Sequence, residues 1–94
     1  MKKTHNDKLW LIGFGEAIAE RRAFVAMTQQ QLADESGVHR TYISDVERGY
    51  RNITCTTANR IATAMETTAA RLFSTADKKL AEKLSQKSYK QQRA

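Results

Sequence analysis

No proline interrupts this 94-residue chain, which holds one cysteine and four glycines. Without proline, no residue is barred from donating to a helix ladder. A single cysteine closes no internal disulfide, and Cys55 has no His, Asp or Glu neighbours at metal-ligand spacing. It reads as a small, half-buried residue of a protein in a reducing cytoplasm. No apolar run approaches the about 20 residues that a membrane-spanning helix requires. Leu9–Phe14 follows three lysines in the manner of a short signal sequence, but it meets Glu16 at once, so neither export nor membrane insertion is expected. His5 and His39 fall in no sequence pattern with carboxylates or cysteines and there is no glycine-rich phosphate loop, so no enzyme, metal site or cofactor is expected.

What is abundant points to helices. Ala, Arg, Gln, Glu and Lys are frequent, and no stretch alternates apolar and polar residues over a strand's length. The length suits one small all-α domain with a single core. The net charge of +6 is unevenly placed: between residues 9 and 76, seven arginines are balanced by seven acids, so the excess lies in the two ends. Overall basicity is therefore weaker evidence for a nucleic-acid partner than where Arg40, Arg48 and Arg51 stand.

Thr28–Glu47 is the most informative stretch. Thr28 can cap a helix, with Gln31 completing a capping box and Met27 packing on Leu32 as a hydrophobic staple. Gly37 should stop that helix and turn the chain. Val38 and Ile43 repeat the staple spacing and start a second helix near Arg40. At about 100° per residue, Tyr42, Ile43 and Val46 share one side of it, and Arg40, Thr41, Ser44, Asp45 and Arg48 fill the other. Short, polar, hydrogen-bonding side chains on that outer arc suit contact with base edges in a major groove about 12 Å wide. The first helix of the pair begins with Gln29 and Gln30, whose unbonded N–H groups and positive dipole end form a phosphate site.

The segment TQQQLADESGVHRTYISDVERG resembles the helix-turn-helix of the lambda-repressor/Cro-like DNA-binding domains. The resemblance extends upstream through FGEAIAERRAFVAM and downstream through YRNITCTTANRIATAMETTAARLF, covering about residues 14–73. The run HRTYIS followed by ERGYRNIT is more similar still to the small controller proteins of restriction-modification systems. The resemblance implies a five-helix lambda-repressor-like domain, acting as a homodimer on double-stranded DNA. Docking as such domains do would bring Arg40, Thr41, Ser44 and Asp45 to bases, Arg40 foremost because its planar fork matches O6 and N7 of guanine. Thr41 could meet a thymine methyl, and Asp45 could accept from cytosine or orient Arg40 or Arg48. Gln29, Tyr42, Arg48, Arg51 and Asn52 are the phosphate candidates. By resemblance Arg22 and Glu47 form a buried pair bridging the first and third helices, whose disruption should cost about 3 to 5 kcal/mol. Leu72 and Phe73 are the expected dimer contact. Glu66 and Thr67 depart from the glycine and aliphatic residue usual between the last two helices.

Taken in order, residues 1–8 read as a flexible N-terminus, 9–75 as the DNA-binding domain with its helix-turn-helix at 28–47, and 76–94 as a basic tail. The first helix is expected from Leu11 to Ala26, weakened at its start by Gly13 and Gly15. Thr54 caps the fourth, with Ala58, Ile61, Ala62 and Met65 as its core face, and Thr68 caps a short fifth ending at Phe73. An extra C-terminal helix could carry Ala76, Leu80 and Leu84 to about Ser85, with a disordered cationic tail or phosphate-contacting arm beyond. The favoured function is a transcriptional regulator reading a palindromic operator, with the restriction-modification controller as the preferred subtype. Its rivals are a phage-type repressor, an antitoxin binding a toxin, and a protein-interaction module using the same fold, while a regulator could also touch RNA polymerase.

Overall fold

Threonine stands at the start of four of the five helices in the computed structural model, which describes the backbone of residues 2–93 and the side chains of residues 2–86. The helices are α1 (His5–Phe24), α2 (Gln29–Ser36), α3 (Arg40–Glu47), α4 (Cys55–Ala64) and α5 (Ala69–Arg93), with no strand among the described residues. None of them is long and apolar enough to cross a membrane. Each cap satisfies an N–H that the first turn of a helix leaves without a partner. Thr4 with Asp7, and Thr28 with Gln31, form reciprocal capping boxes. The Oγ1 atoms of Thr54 and Thr68 accept from the N–H groups of Thr57 and Arg71.

The helices end through residues in the left-handed region: Ala26 (φ 56°), Gly37 (φ 73°), Gly49 (φ 77°) and Glu66 (φ 58°). Glycine does this freely, whereas a side chain there costs about 1 to 2 kcal/mol. At Glu66 the missing glycine is answered by Arg21, whose Nε donates to the Met65 carbonyl and whose Nη2 donates to that of Glu66, both at 3.0 Å.

The core forms around α1. Phe14 and Ile18 are fully buried against Leu32 of α2, Ile43 and Val46 of α3 and Ile61 of α4. Burying a side chain of this size contributes about 1.5 to 3 kcal/mol, so this cluster outweighs the helices' own propensity. Two glycines of α1 let neighbours come close. At Gly13 a β-carbon would stand 3.1 Å from Cβ of Lys79 and 3.3 Å from the Ala76 carbonyl oxygen, marking the crossing with α5. At Gly15 it would overlap the Val46 carbonyl oxygen and lie 2.5 Å from that of Glu47, so α3 rests directly on the α1 backbone.

Several expectations change. α1 begins at His5, not Leu11, because the Thr4–Asp7 box nucleates it and because Gly13 and Gly15 serve packing rather than fraying. Most of the supposed flexible segment 1–8 is thus helical or capping. The fifth helix does not stop at Phe73 to make way for a separate one, but runs unbroken to Arg93. Its continuation is held by α1, where Trp10 Nε1 donates to Asp77 at 2.9 Å and Lys79 and Lys83 pair with Glu20 and Glu16 at 2.6 Å. The side chains of Lys87, Lys90 and Arg93, the cations of the expected phosphate arm, lie outside the described residues. Leu72 is only 4% exposed and belongs to this chain's own core, so it has no surface to give a second copy. Phe73 is half-buried in an aromatic cluster, with its ring centroid 5.4 Å from that of Phe14 and 5.8 Å from that of Trp10. Cys55 is exposed at the first position of α4 rather than half-buried.

Candidate nucleic-acid interface

Ile43 and Val46 bind α3 to the core, and the helical period then turns Arg40, Thr41, Ser44, Asp45 and Arg48 outward. Arg40 and Thr41 stand exposed in its first turn, with Ser44 and Asp45 half-exposed one turn further on. The helix is capped at both ends. His39 caps its start, with Nδ1 accepting from the Thr41 N–H at 3.1 Å. At its exit, Gly49 lets the Tyr50 N–H reach back to the Asp45 carbonyl at 2.9 Å.

A half-buried ion pair ties this helix to the scaffold. Arg22 Nε donates to Glu47 Oε2 at 2.8 Å and Nη2 to Oε1 at 3.0 Å, the parallel two-bond geometry that gives guanidinium–carboxylate contacts their directionality. Arg22 Nη1 also donates to the Met27 carbonyl at 3.0 Å, just ahead of α2. The hydrogen bonds that Arg22 donates to Glu47 raise its pKa further above an already high ordinary value. Gln29 joins here too, since its Nε2 donates to Glu47 Oε1 at 3.0 Å. Its side chain is therefore engaged in the scaffold, and what α2 presents outward at that end is backbone N–H, the usual anion-binding feature of a helix start.

A second cluster lies on the outer side of α3. Asp45 Oδ1 accepts from Arg48 Nη2 at 2.8 Å and Oδ2 from Arg51 Nη2 at 3.2 Å. These bonds, Arg48's the stronger, hold the Asp45 carboxyl below its ordinary pKa. Each guanidinium also lies on a tyrosine: that of Arg48 is 5.0 Å from the centre of the Tyr50 ring, and that of Arg51 is 4.9 Å from the centre of the Tyr42 ring. Tyr42 in turn donates its hydroxyl to the Asn52 carbonyl at 2.9 Å.

The candidates read from the sequence thus fall into three groups. Arg40, Thr41 and Ser44 line the open edge of α3. Asp45, Tyr42, Arg48, Arg51 and Asn52 form one linked cluster at its exit, in which Asp45 orients Arg48 and Arg51 rather than Arg40. Arg22, Gln29 and Glu47 are scaffold. Sequence reading missed Tyr50, 70% exposed, as the ring under Arg48, and Arg21 as the clamp on the end of α4. The Asp45 to Arg48 interval is a helical one and was legible, but Arg51 reaches Asp45 only because Gly49 reverses the chain. No group of three or more His, Cys, Asp and Glu side chains suited to a metal exists among the described residues.

The helix-turn-helix family profile matches residues 18–72. Among curated relatives, the control protein C.BamHI of Bacillus amyloliquefaciens is 42% identical over 63 residues, spanning 66% of this chain and 74% of that protein. The control protein C.SmaI of Serratia marcescens is 41% identical over 58 residues, spanning 62% of this chain and 69% of that protein. Among solved structures, the restriction-modification controller protein C.Esp1396I, as a tetramer in complex with its natural 35-base-pair operator, superposes with a TM-score of 0.68 at 32% identity. That match spans 77% of this chain and 95% of the controller.

Proposed function

This chain belongs to the lambda-repressor-like helix-turn-helix family, and from that premise we propose that it is a sequence-specific double-stranded DNA-binding transcriptional regulator of the restriction-modification controller type. It works as a homodimer in the cytoplasm and acts by binding, not catalysis. The observation that carries this reading is the outer edge of α3: Arg40, Thr41 and Ser44 stand clear of the helices that anchor Ile43 and Val46. The likeness to C.BamHI and C.SmaI, and the operator carried by C.Esp1396I, support the subtype.

In this reading α3 enters the major groove with its N-terminal turn against base edges. Arg40 bonds a guanine through two donors, worth about 1 to 3 kcal/mol of discrimination against other bases. Thr41 meets a thymine methyl, and Ser44 reads the next step. Gln29 through its backbone N–H, together with Tyr42, Arg48, Arg51 and Asn52, grips phosphates and fixes register without choosing sequence. Two copies place their α3 helices about 34 Å apart in successive major grooves, so the operator is palindromic. With Leu72 withdrawn into the core, Phe73 is what that end of the domain can offer the second copy.

Selection of binders from a pool of randomised duplexes, followed by anisotropy titration, tests the reading. The expected product is a palindrome, with Arg40→Ala losing about tenfold or more in affinity and all preference at one base pair of each half-site. Failure to enrich any sequence, or an Arg40→Ala protein that binds the selected duplex as wild type does, would overturn it in favour of a protein-interaction module.

A further inference from the structure

We infer that Asp45 is a positioning residue, which sets Arg48 and Arg51 as one clamp for neighbouring DNA phosphates, and that it does not read a base; the inference rests on the DNA-binding reading above. The two arginines approach from different backbone settings. Arg48 closes α3, whereas Arg51 follows the reversal at Gly49. A single carboxylate brings them together, one oxygen to each Nη2. Each long side chain is thereby held at two points, by the carboxylate and by a tyrosine face, and the Tyr42 ring is itself anchored through its hydroxyl to the Asn52 carbonyl.

The arginines are held but not used up. Each gives one terminal nitrogen to Asp45, while the fork carries five N–H donors, and their side chains remain 57% and 50% exposed. The outward donors are those a phosphate oxygen would meet. Two cations around one anion leave the cluster a single net positive charge, attractive to a phosphodiester but less so than two loose arginines. Turning Asp45 toward a cytosine would release both arginines at once, so the two roles exclude one another. Side chains that are already ordered lose less freedom when DNA arrives, which is the gain a preformed site offers.

The test compares wild type, Asp45→Ala and Asp45→Glu for binding to a duplex of random sequence at low salt and to a duplex selected by the wild type, each also with Arg48 and Arg51 both replaced by alanine. Circular dichroism melts are run on every protein. The expected result is a loss of about five- to tenfold on both duplexes with Asp45→Ala, the scale of freeing one or two long side chains. Base preference stays unchanged, Asp45→Glu recovers part of the loss, and the effect vanishes once the two arginines are gone. A role in folding alone would instead lower the melting temperature well beyond the slight loss expected of an exposed ion pair and persist without the arginines, which would overturn the inference. So would unchanged or tighter binding by Asp45→Ala, which would mark Asp45 as a mere repelling charge, or a loss confined to the selected duplex at one base pair, which would make it a reader. A wild type that neither binds the random duplex nor enriches any sequence would remove the DNA-binding reading itself, and the clamp with it.

Discussion

Asp45 and Glu47 lie two residues apart on α3, about 200° around the helix, and both hold arginine. Glu47 faces inward: its side chain is 8% exposed and that of its partner Arg22 is 22% exposed. Asp45 lies on the outer side, and although its own side chain is 20% exposed, the two arginines it holds are half in solvent. The same chemistry therefore does two jobs, and burial decides which. In water a guanidinium–carboxylate pair stabilises by under about 1 kcal/mol, because solvent screens it and ordering two long side chains opposes it. Out of water the attraction is strong, but so is the desolvation cost, and the severe penalty falls when one partner is removed. The inner pair fixes where α3 sits, while the outer cluster is free to exchange its remaining donors with a ligand.

The largest effect expected is therefore on the inner side. Arg22→Ala strips a nearly buried carboxylate of its cation and also removes the donor to the Met27 carbonyl, and should destabilise by about 3 to 5 kcal/mol in urea denaturation. Glu47→Ala should cost less, because Arg22 keeps the Met27 contact and is exposed enough to be partly hydrated. A reversed order, or a loss under about 1 kcal/mol for Arg22→Ala, would erase the distinction between the two clusters. Next comes Gly15→Ala. The added methyl meets the carbonyl oxygens of Val46 and Glu47, so α3 must move off α1, and overpacking of this kind costs typically about 1 to 3 kcal/mol. Because the same shift displaces Glu47 from Arg22, the double variant should lose less than the sum of the Gly15→Ala and Arg22→Ala losses. Full additivity in the double variant would show that the close approach at Gly15 does not support the pair.

These inner features mark the limit of what was legible in the sequence. Thr28 with Gln31, Gly37, the Val38–Ile43 staple, Thr54 and Thr68 were readable because caps and turns are local: each is a residue type at a fixed offset from a helix end. The outward arc of α3 was readable for the same reason, since its inner face is set by period alone. The Arg22–Glu47 contact spans 25 residues and came from family resemblance, because nothing in residue spacing specifies it. Gly13 and Gly15 were misjudged as helix-weakening because their purpose lies in the backbones of α5 and α3. Leu72 was expected at the dimer contact from family resemblance, which does not say whether such an apolar residue is covered by this chain's own core or by a second copy. At the site, Arg51 on Tyr42 and Arg48 on Tyr50 depend on the chain reversal after α3, whose dihedral angles a residue list does not contain.

The smallest effect isolates the outer cluster without DNA. Hydrogen bonds from Arg48 first and Arg51 second lower the pKa of Asp45 in the folded protein. A carboxyl lowered in this way stabilises the fold fully above its unfolded value, about 3.9, and loses that contribution as pH falls through the folded value. Arg22 is shifted the opposite way, upward, so its own titration removes nothing at any pH below its unfolded value. Urea midpoints of wild type and Asp45→Asn should consequently run parallel from about pH 5 to pH 8, with wild type slightly higher, and converge only below about pH 4. The gap should also shrink in high salt, since an exposed cluster is screened. Convergence setting in at pH 5 or above would place the carboxyl in an environment that favours its neutral form, contrary to a group held by two guanidinium ions, and a gap indifferent to salt would mean that Asp45 is as sequestered as Glu47.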